Sequence, residues 1–272
     1  MFSSTIFEIY GFEVRWYSIL ILSAVIISYF LIVSESRRFQ IKKEFLFNMM
    51  FWTIIFGILG ARIYYVVFNF AYYKENLSEI YKIWHGGLAI HGAIIAGLST
   101  VLFYCTKYHV NTKKILDICA PALILAQAIG RWGNFFNQEA FGAAVEYKTL
   151  VNMRIIPQFI IDNMYIDGAY HLPMFYFESV LCLIGFIIML KLRRRKYCKN
   201  GQVFGFYMVW YGFIRYFIEI FRTDSLMIGT MKVAQLISVI MILTGLYIIV
   251  VQERKPKLDD MYNARDEEIR YW

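Results

Sequence analysis

Charge is scarce in this chain. Only 18% of its 272 residues are Asp, Glu, Lys or Arg, against about 25% in an average soluble domain. Apolar residues make up 59%, where soluble domains carry about 45–50%. That balance suits lipid better than water as the surrounding medium. Cysteine is sparse and unpatterned. Cys105, Cys119, Cys182 and Cys198 show no CxxC and no metal-ligand spacing, which excludes a zinc site built on them. Inert, buried or reduced thiols are the expectation. No GxSxG elbow, P-loop or zinc motif occurs. No internal repeat or low-complexity segment occurs either, which argues against an inverted-repeat transporter. The N-terminus lacks a basic n-region and a small-residue cleavage site, so the first apolar run is expected to persist as a membrane helix.

What the chain does have is apolar runs long enough to cross a hydrocarbon core, which takes about 20 helical residues. Seven are read: Trp16–Val33, Phe45–Phe68, Leu88–Thr106, Ile115–Gly130, Met174–Leu190, Val203–Phe221 and Met231–Val251. The formal net charge of +8 does not point to nucleic acid, because the basic residues stand in short blocks between these runs. Arg37, Arg38, Lys42 and Lys43 follow the first. Lys107, Lys113 and Lys114 follow the third. Lys191, Arg193, Arg194, Arg195, Lys196 and Lys199 follow the fifth, and Arg254, Lys255 and Lys257 the last. Basic connections stay in the cytoplasm and attract anionic headgroups of the lipid bilayer. The expected fold class is therefore an all-α polytopic membrane protein of about seven transmembrane helices, N-terminus outside and C-terminus cytoplasmic. Residues 1–251 are expected to form a single transmembrane domain, and 252–272 a charged, mobile cytoplasmic tail. The longest connection, about 131–173, falls outside. It is rich in Asn, Tyr, Ile and Phe, which predicts an ordered outer cap with one or two short elements.

Polar groups inside spans are costly and are usually functional or paired. On this topology they gather toward the outer ends. His91 lies roughly 6 Å inside the third span and Arg62 roughly 9 Å below the outer end of the second, at 1.5 Å per residue. Arg131 caps the fourth, Tyr17 opens the first, and Gln235 stands in the first turns of the seventh. Arg215, Glu219 and Arg222 recur at i, i+4 and i+7, on one helical face. An Arg215–Glu219 ion pair and a snorkelling Arg222 are the plain readings of that face. Arg62 reads as a buried structural cation paired with an acid such as Glu139 or Glu178. Asp117 is the exception on the inner side, favoured there by the N-terminus of its own helix. The densest segment runs Gly130-Arg131-Trp132-Gly133-Asn134-Phe135-Phe136-Asn137-Gln138-Glu139, with Gly142 just beyond, and places a cation, an acid and three amides at a membrane–water boundary.

Arginine's planar fork matches phosphate oxygens, and a nearby histidine adds a proton acceptor. Residue chemistry alone reaches an outward-facing site for an anionic lipid. It leaves open whether the site is catalytic or belongs to a non-enzymatic transporter of an anionic lipid or solute.

The Gly130–Glu139 segment resembles the signature of the bacterial prolipoprotein diacylglyceryl transferases. Three further stretches resemble that family in the right order: Trp16-Tyr17, the Gly86-Gly87…His91-Gly92 run, and Tyr211-Gly212-Phe213-Ile214-Arg215…Glu219…Arg222. The resemblance implies transfer of the diacylglyceryl group of phosphatidylglycerol to the lipobox cysteine of prolipoprotein signal peptides. It implies no cofactor and no metal, and a bacterial cytoplasmic membrane with the site toward the outer face. His91, Arg131 and Arg215 are then the expected catalytic residues, with the two arginines on the phosphate and His91 as base or orienting donor. Asn134, Tyr17, Glu139 and Gly142 are expected to bind phosphatidylglycerol with them, and Arg62, Glu219 and Arg222 to support. Before the fifth span the family often has His-Pro followed by Ser or Thr; here the run is His171-Leu172-Pro173-Met174.

Overall fold

The computed structural model describes residues 5–9, 12–222, 227–229 and 231–264. The chain opens with an antiparallel hairpin, β1 (Thr5–Ile9) and β2 (Phe12–Arg15), which runs directly into α1 (Trp16–Ser36). After α2 (Lys43–Phe68) comes a connection holding α3 (Phe70–Tyr73) and two 3₁₀ turns, Leu77–Glu79 and Ile83–His85. It leads to α4 (Ile90–Lys107) and then to α5 (Thr112–Asn137). Next follow β3 (Ala144–Val145), α6 (Tyr147–Asn152), α7 (Gln158–Asp162), β4 (Tyr165–Ile166) and β5 (Ala169–His171). The last long helices are α8 (Met174–Leu192), α9 (Gln202–Phe221) and α10 (Val233–Glu253), with a small hairpin of β6 (Met227–Ile228) and β7 (Met231–Lys232) before α10.

Among the described residues, six helices are long and apolar enough to cross a membrane: Trp16–Phe39, Lys43–Phe68, Ile90–Lys107, Thr112–Asn137, Met174–Leu192 and Val233–Glu253. They turn large apolar side chains outward, Phe30, Ile63 and Leu243 among them, as a surface facing lipid does. The seventh expected span corresponds to α9. It has the length, at 20 residues, but carries Arg215, Glu219 and several tyrosines, and it is not among the six.

The described residues form two compact units, 5–31 with 116–264, and 32–115. Within the first, α5 packs on α8 through Ser179, whose Oγ donates to the carbonyl of Ala128 (2.9 Å) and accepts from Trp132 Nε1 (3.2 Å). Helices α9 and α10 touch backbone to backbone, since a methyl on Gly245 would lie 2.5 Å from the Gly205 carbonyl. Small residues at such crossings are how apolar helices gain contact where the hydrophobic effect is lost. Asp117 is fully buried. It does not serve its own helix: its carboxylate accepts from the amides of Gly201 (2.6 Å) and Phe204 (2.7 Å) and so caps the start of α9. In the second unit α2 and α4 cross at Gly60 and Gly92, where a methyl on Gly92 would meet the Gly60 carbonyl at 2.3 Å.

Two expectations change. Helix α5 runs to Asn137, two turns beyond the expected end at Gly130. Arg131 and Asn134 are therefore helical residues and not part of a loop. Trp132, Phe135 and Phe136, spaced i, i+3 and i+4, pack on a core of Leu150, Ile156, Ile160, Ile161, Met164, Ile166 and Phe175, and that burial extends the helix. Between α5 and α8 the chain makes a small folded layer with a three-stranded sheet, order β3-β5-β4. The segment after α10 is not a mobile tail as far as residue 264. Asn200 N donates to Asp260 O (2.8 Å), Tyr262 N donates to Cys198 O (2.8 Å), and Tyr262 is completely buried. Residues 265–272 lie outside the described residues.

Cys105, Cys182 and Cys198 are buried free thiols. Burial pushes the Cys198 thiol up to about 12, which suppresses the reactive thiolate.

Candidate functional site

Three helices of the first unit bring one charged cluster together. α5 supplies Arg131, α8 supplies Glu178, and α9 supplies Tyr211, Arg215 and Glu219 at i, i+4 and i+8, so the last three share a face. Glu178 stands at the centre. Its Oε1 lies 2.9 Å from Arg131 Nη2, and its Oε2 lies 3.8 Å from Arg215 Nη1. Tyr211 OH accepts from Arg131 Nη2 (3.3 Å) and donates to Glu178 Oε1 (3.5 Å). On the far side of Arg215, Nη2 sits 2.9 Å from Glu219 Oε2.

The two carboxylates are sealed, at 2% and 3% side-chain exposure, while each arginine keeps 20%. The acids are therefore sealed, while the two arginine side chains stay partly accessible. Two cations facing two acids are formally balanced, which lets four charges share a buried spot. The hydrogen bonding is incomplete, however. Arg215 Nη1 and Glu219 Oε2 are buried without a hydrogen-bond partner, although both belong to ion pairs. A buried unsatisfied group costs about 1–3 kcal/mol, so Arg215 has a donor to gain from an incoming oxygen anion.

The remaining expected residues fall in several places. Tyr17 packs its ring on Gly133, where an added methyl would lie 2.4 Å from Tyr17 Cδ2. Beside it Trp16 stacks on Phe136, with ring centroids 4.9 Å apart. Asn134 and Glu139 are joined through the backbone, Glu139 N donating to Asn134 O (2.9 Å), and the Glu139 carboxylate accepts from Asn137 Nδ2 (3.1 Å). Glu139 is exposed. Gly142 is buried, and its amide donates to Leu172 O (2.9 Å). Its backbone also pairs with Arg222. A side chain there would strike Leu172 Cβ at 2.9 Å. His171 holds the same loop, with Nδ1 2.9 Å from the Gly142 carbonyl and its ring 4.4 Å from Phe141. Arg222 O, with Glu219 O, accepts from Lys232 Nζ (2.9 and 2.6 Å), which closes the end of α9.

His91 and Arg62 belong to the second unit. His91 is half-buried in the first turn of α4, its ring 6.0 Å from that of Tyr64. Arg62 corrects an expectation, because no acid among the described residues pairs with it. Its guanidinium donates to five carbonyls: Ile80 (2.8 Å), Gly86 (2.6 Å), Gly87 (2.9 Å), Glu79 (2.5 Å) and Lys82 (3.3 Å). The physical reason lies in the glycines. Gly86 and Gly87 both take positive φ, 85° and 73°, which only glycine adopts at low cost, and the chain turns its carbonyls onto the cation. The turn is also tied by side chains. Glu79 receives Lys82 Nζ (2.6 Å) and sits 2.8 Å from His85 Nδ1. These two hydrogen bonds, Lys82 first, hold the Glu79 carboxyl below its ordinary value, and the same contact raises Lys82.

Sequence reasoning missed Glu178 as the hub of the cluster, although an acid inside the apolar run from Met174 was a visible signal. Tyr211 stood in a quoted stretch without a role. Lys232 had no signal, because its acceptors are backbone carbonyls.

Comparison with known proteins shows the family of the chain. A model of the prolipoprotein diacylglyceryl transferase family matches residues 4–251. A phosphatidylglycerol–prolipoprotein diacylglyceryl transferase of Listeria innocua is 44% identical over 260 residues, covering 96% of this chain and 92% of that protein. One from Staphylococcus carnosus is 44% identical over 259 residues, covering 94% and 93%. One from Ligilactobacillus salivarius is 45% identical over 236 residues, covering 86% and 87%.

Proposed function

The chain belongs to the prolipoprotein diacylglyceryl transferase family, and we propose that it moves the diacylglyceryl group of phosphatidylglycerol onto the thiol of a prolipoprotein's lipobox cysteine. The thiol gives up its proton, sulfur attacks the glyceryl carbon, and the C–O bond to phosphate breaks. A thioether forms, and glycerol phosphate leaves with the bonding electron pair.

The observation that carries this reading is the pair of arginines gathered on Glu178. The thiolate is the nucleophile, and the negative charge that develops on the leaving phosphate needs preorganised donors. Arg131 and Arg215 come from two helices, and Glu178 pairs with both. Arg215 Nη1 takes a phosphate oxygen, the acceptor it otherwise lacks. Tyr211 keeps Arg131 and Glu178 aligned. His91 serves as the base or as an orienting donor. Tyr17, Asn134, Glu139 and Gly142 shape the headgroup site around the end of α5, with Arg62, Glu219 and Arg222 in support.

The topology belongs to the same proposal. α9 completes seven spans, paired charges making its polar face tolerable in lipid. The basic connections after α1, α4, α8 and α10 face the cytoplasm. The N-terminus and the folded layer at 138–173 then lie outside the bacterial cytoplasmic membrane. Phosphatidylglycerol of the outer leaflet and an exported signal peptide meet there.

The test is reconstitution with phosphatidylglycerol and a lipobox peptide, read by mass. A diacylglyceryl adduct on the cysteine, absent with a Cys→Ser peptide, is the expected result. Phosphatidylglycerol binding without any adduct would return the chain to the lipid-transporter reading.

A further inference from the structure

The second unit carries an open groove of about 790 Å³ between α2 and α4. Small-molecule sites span about 300–1,000 Å³, so its size is that of a ligand site. Its walls are Trp52 and Phe56 from α2 and Phe103 from α4. These side chains are 40%, 44% and 62% exposed, so they stand outward and do not fill a core. The floor is Gly60, Ala96 and Thr100, low because Gly60 lets the helices close up; a methyl there would lie 2.4 Å from Ala96 Cβ. Thr100 Oγ1 donates to the Ala96 carbonyl (2.8 Å), so its hydroxyl is satisfied within the helix and the floor presents hydrocarbon. At one end stands Lys107, exposed, the last residue of α4.

We propose that this groove holds an acyl chain of an anionic phospholipid whose headgroup phosphate sits at Lys107. The proposal rests on the reading of α2 and α4 as membrane spans. Ala96 to Lys107 is eleven residues of α4, about 16 Å at 1.5 Å per residue, long enough to seat much of a chain. Lys107 selects the occupant. It attracts an anionic headgroup, and it repels a signal-peptide helix, whose n-region is basic and enters on the cytoplasmic side. Lys107 also follows His91 by sixteen residues on the same helix, about 24 Å along the axis. The groove lipid therefore belongs to the opposite leaflet from the reacting phosphatidylglycerol and is a second, resident lipid.

The test is Trp52 fluorescence in phosphatidylcholine nanodiscs that contain a minor fraction of phosphatidylglycerol brominated on its acyl chains. The Trp52 signal is the difference between the full chain and its Trp52→Phe variant. One lysine near an anionic headgroup contributes a preference of about fivefold, so Trp52 quenching should exceed the mole-fraction share by about that factor. It should fall to the share in Lys107→Gln, and in Ser99→Phe, which fills the groove from an exposed position. Both variants should keep transferase activity. Quenching at the mole-fraction share in the unaltered chain, or undiminished in Lys107→Gln, overturns the proposal. So does Trp52 emission that brominated lipid does not reach, which would place a second copy or a peptide over the groove. The adduct assay on the same discs reads the transferase separately: no adduct with the quenching intact would sink that function and leave this site standing.

Discussion

Two buried arginine sites in this protein solve the same problem in different ways. Arg62 is 6% exposed and spreads its donors over five carbonyls of the connection at 79–87. Arg131 and Arg215 share one carboxylate, Glu178, and Arg215 leaves a donor without a hydrogen bond. Carbonyls cannot move away without unfolding the turn, so Arg62 is committed to its partners. A carboxylate bridge can be loosened by a competing anion, because the acid can keep one arginine while the other turns to phosphate. On the proposed function, the difference separates a cation that builds shape from cations that act on a ligand.

The sharpest break of that distinction uses the cluster. Arg131→Ala and Arg215→Ala should each slow adduct formation by about 10²–10³-fold, the size of losing one oxyanion donor. Arg131→Lys should recover little, since it keeps the charge and loses the fork. Arg62→Ala should behave in the opposite sense, with stability falling by about 3 kcal/mol through loss of charge-assisted hydrogen bonds. Thermal melting and amide exchange at 79–87 would register that change, and transfer at saturating lipid should stay within about tenfold, well short of the loss of an oxyanion donor. Equal loss of transfer from Arg62→Ala, with melting unchanged, would erase the contrast.

Glu178→Gln sits between the two. It should cost about 1.5–3 kcal/mol of stability, as a lost charge-assisted contact does. It should also tighten phosphatidylglycerol binding while slowing turnover, because the arginines gain net positive charge and lose their alignment. Binding by calorimetry against turnover by mass would separate the two effects, and weaker binding would show that Glu178 builds the site without balancing it. The smallest effect is a pH dependence in the Arg62 turn. Glu79 is held below its ordinary value of 4.5 by Lys82 and His85, and Lys82 is held above 10.5 by Glu79. A depressed acid contributes fully above 4.5 and loses its contribution as pH falls through the lowered value. A raised lysine contributes fully below 10.5 and loses it above. Protection against amide exchange at 77–88, corrected for the intrinsic rate at each pH, should thus be highest between those limits and fall on either side, and Glu79→Gln should flatten the profile.

Much of this contrast was legible in the residues and some of it was not. Depth along apolar runs brought out Arg131, Arg215, Glu219, His91 and Arg62, because ionisable groups stand out against hydrocarbon. The partner of Arg62 was misread as an acid, since carbonyl acceptors leave no mark in a side-chain pattern. Glu178 was visible as an oddity, but its place between Arg131 and Arg215 depends on which helices adjoin, and local spacing does not encode that. The end of α5 was set too early because Gly130, Gly133 and the amides look like a turn. The i, i+3, i+4 spacing of Trp132, Phe135 and Phe136 was the signal that outweighed them.

The pairing near residue 200 has a consequence for the order in which the protein is made. Asn200 and Cys198 lie before α9, and their partners Asp260 and Tyr262 lie after α10. The turn that carries the capped start of α9 therefore stays unsealed while two more helices emerge and insert. These contacts can close only once residue 262 has left the ribosome, so they form after both helices that they bracket have been made.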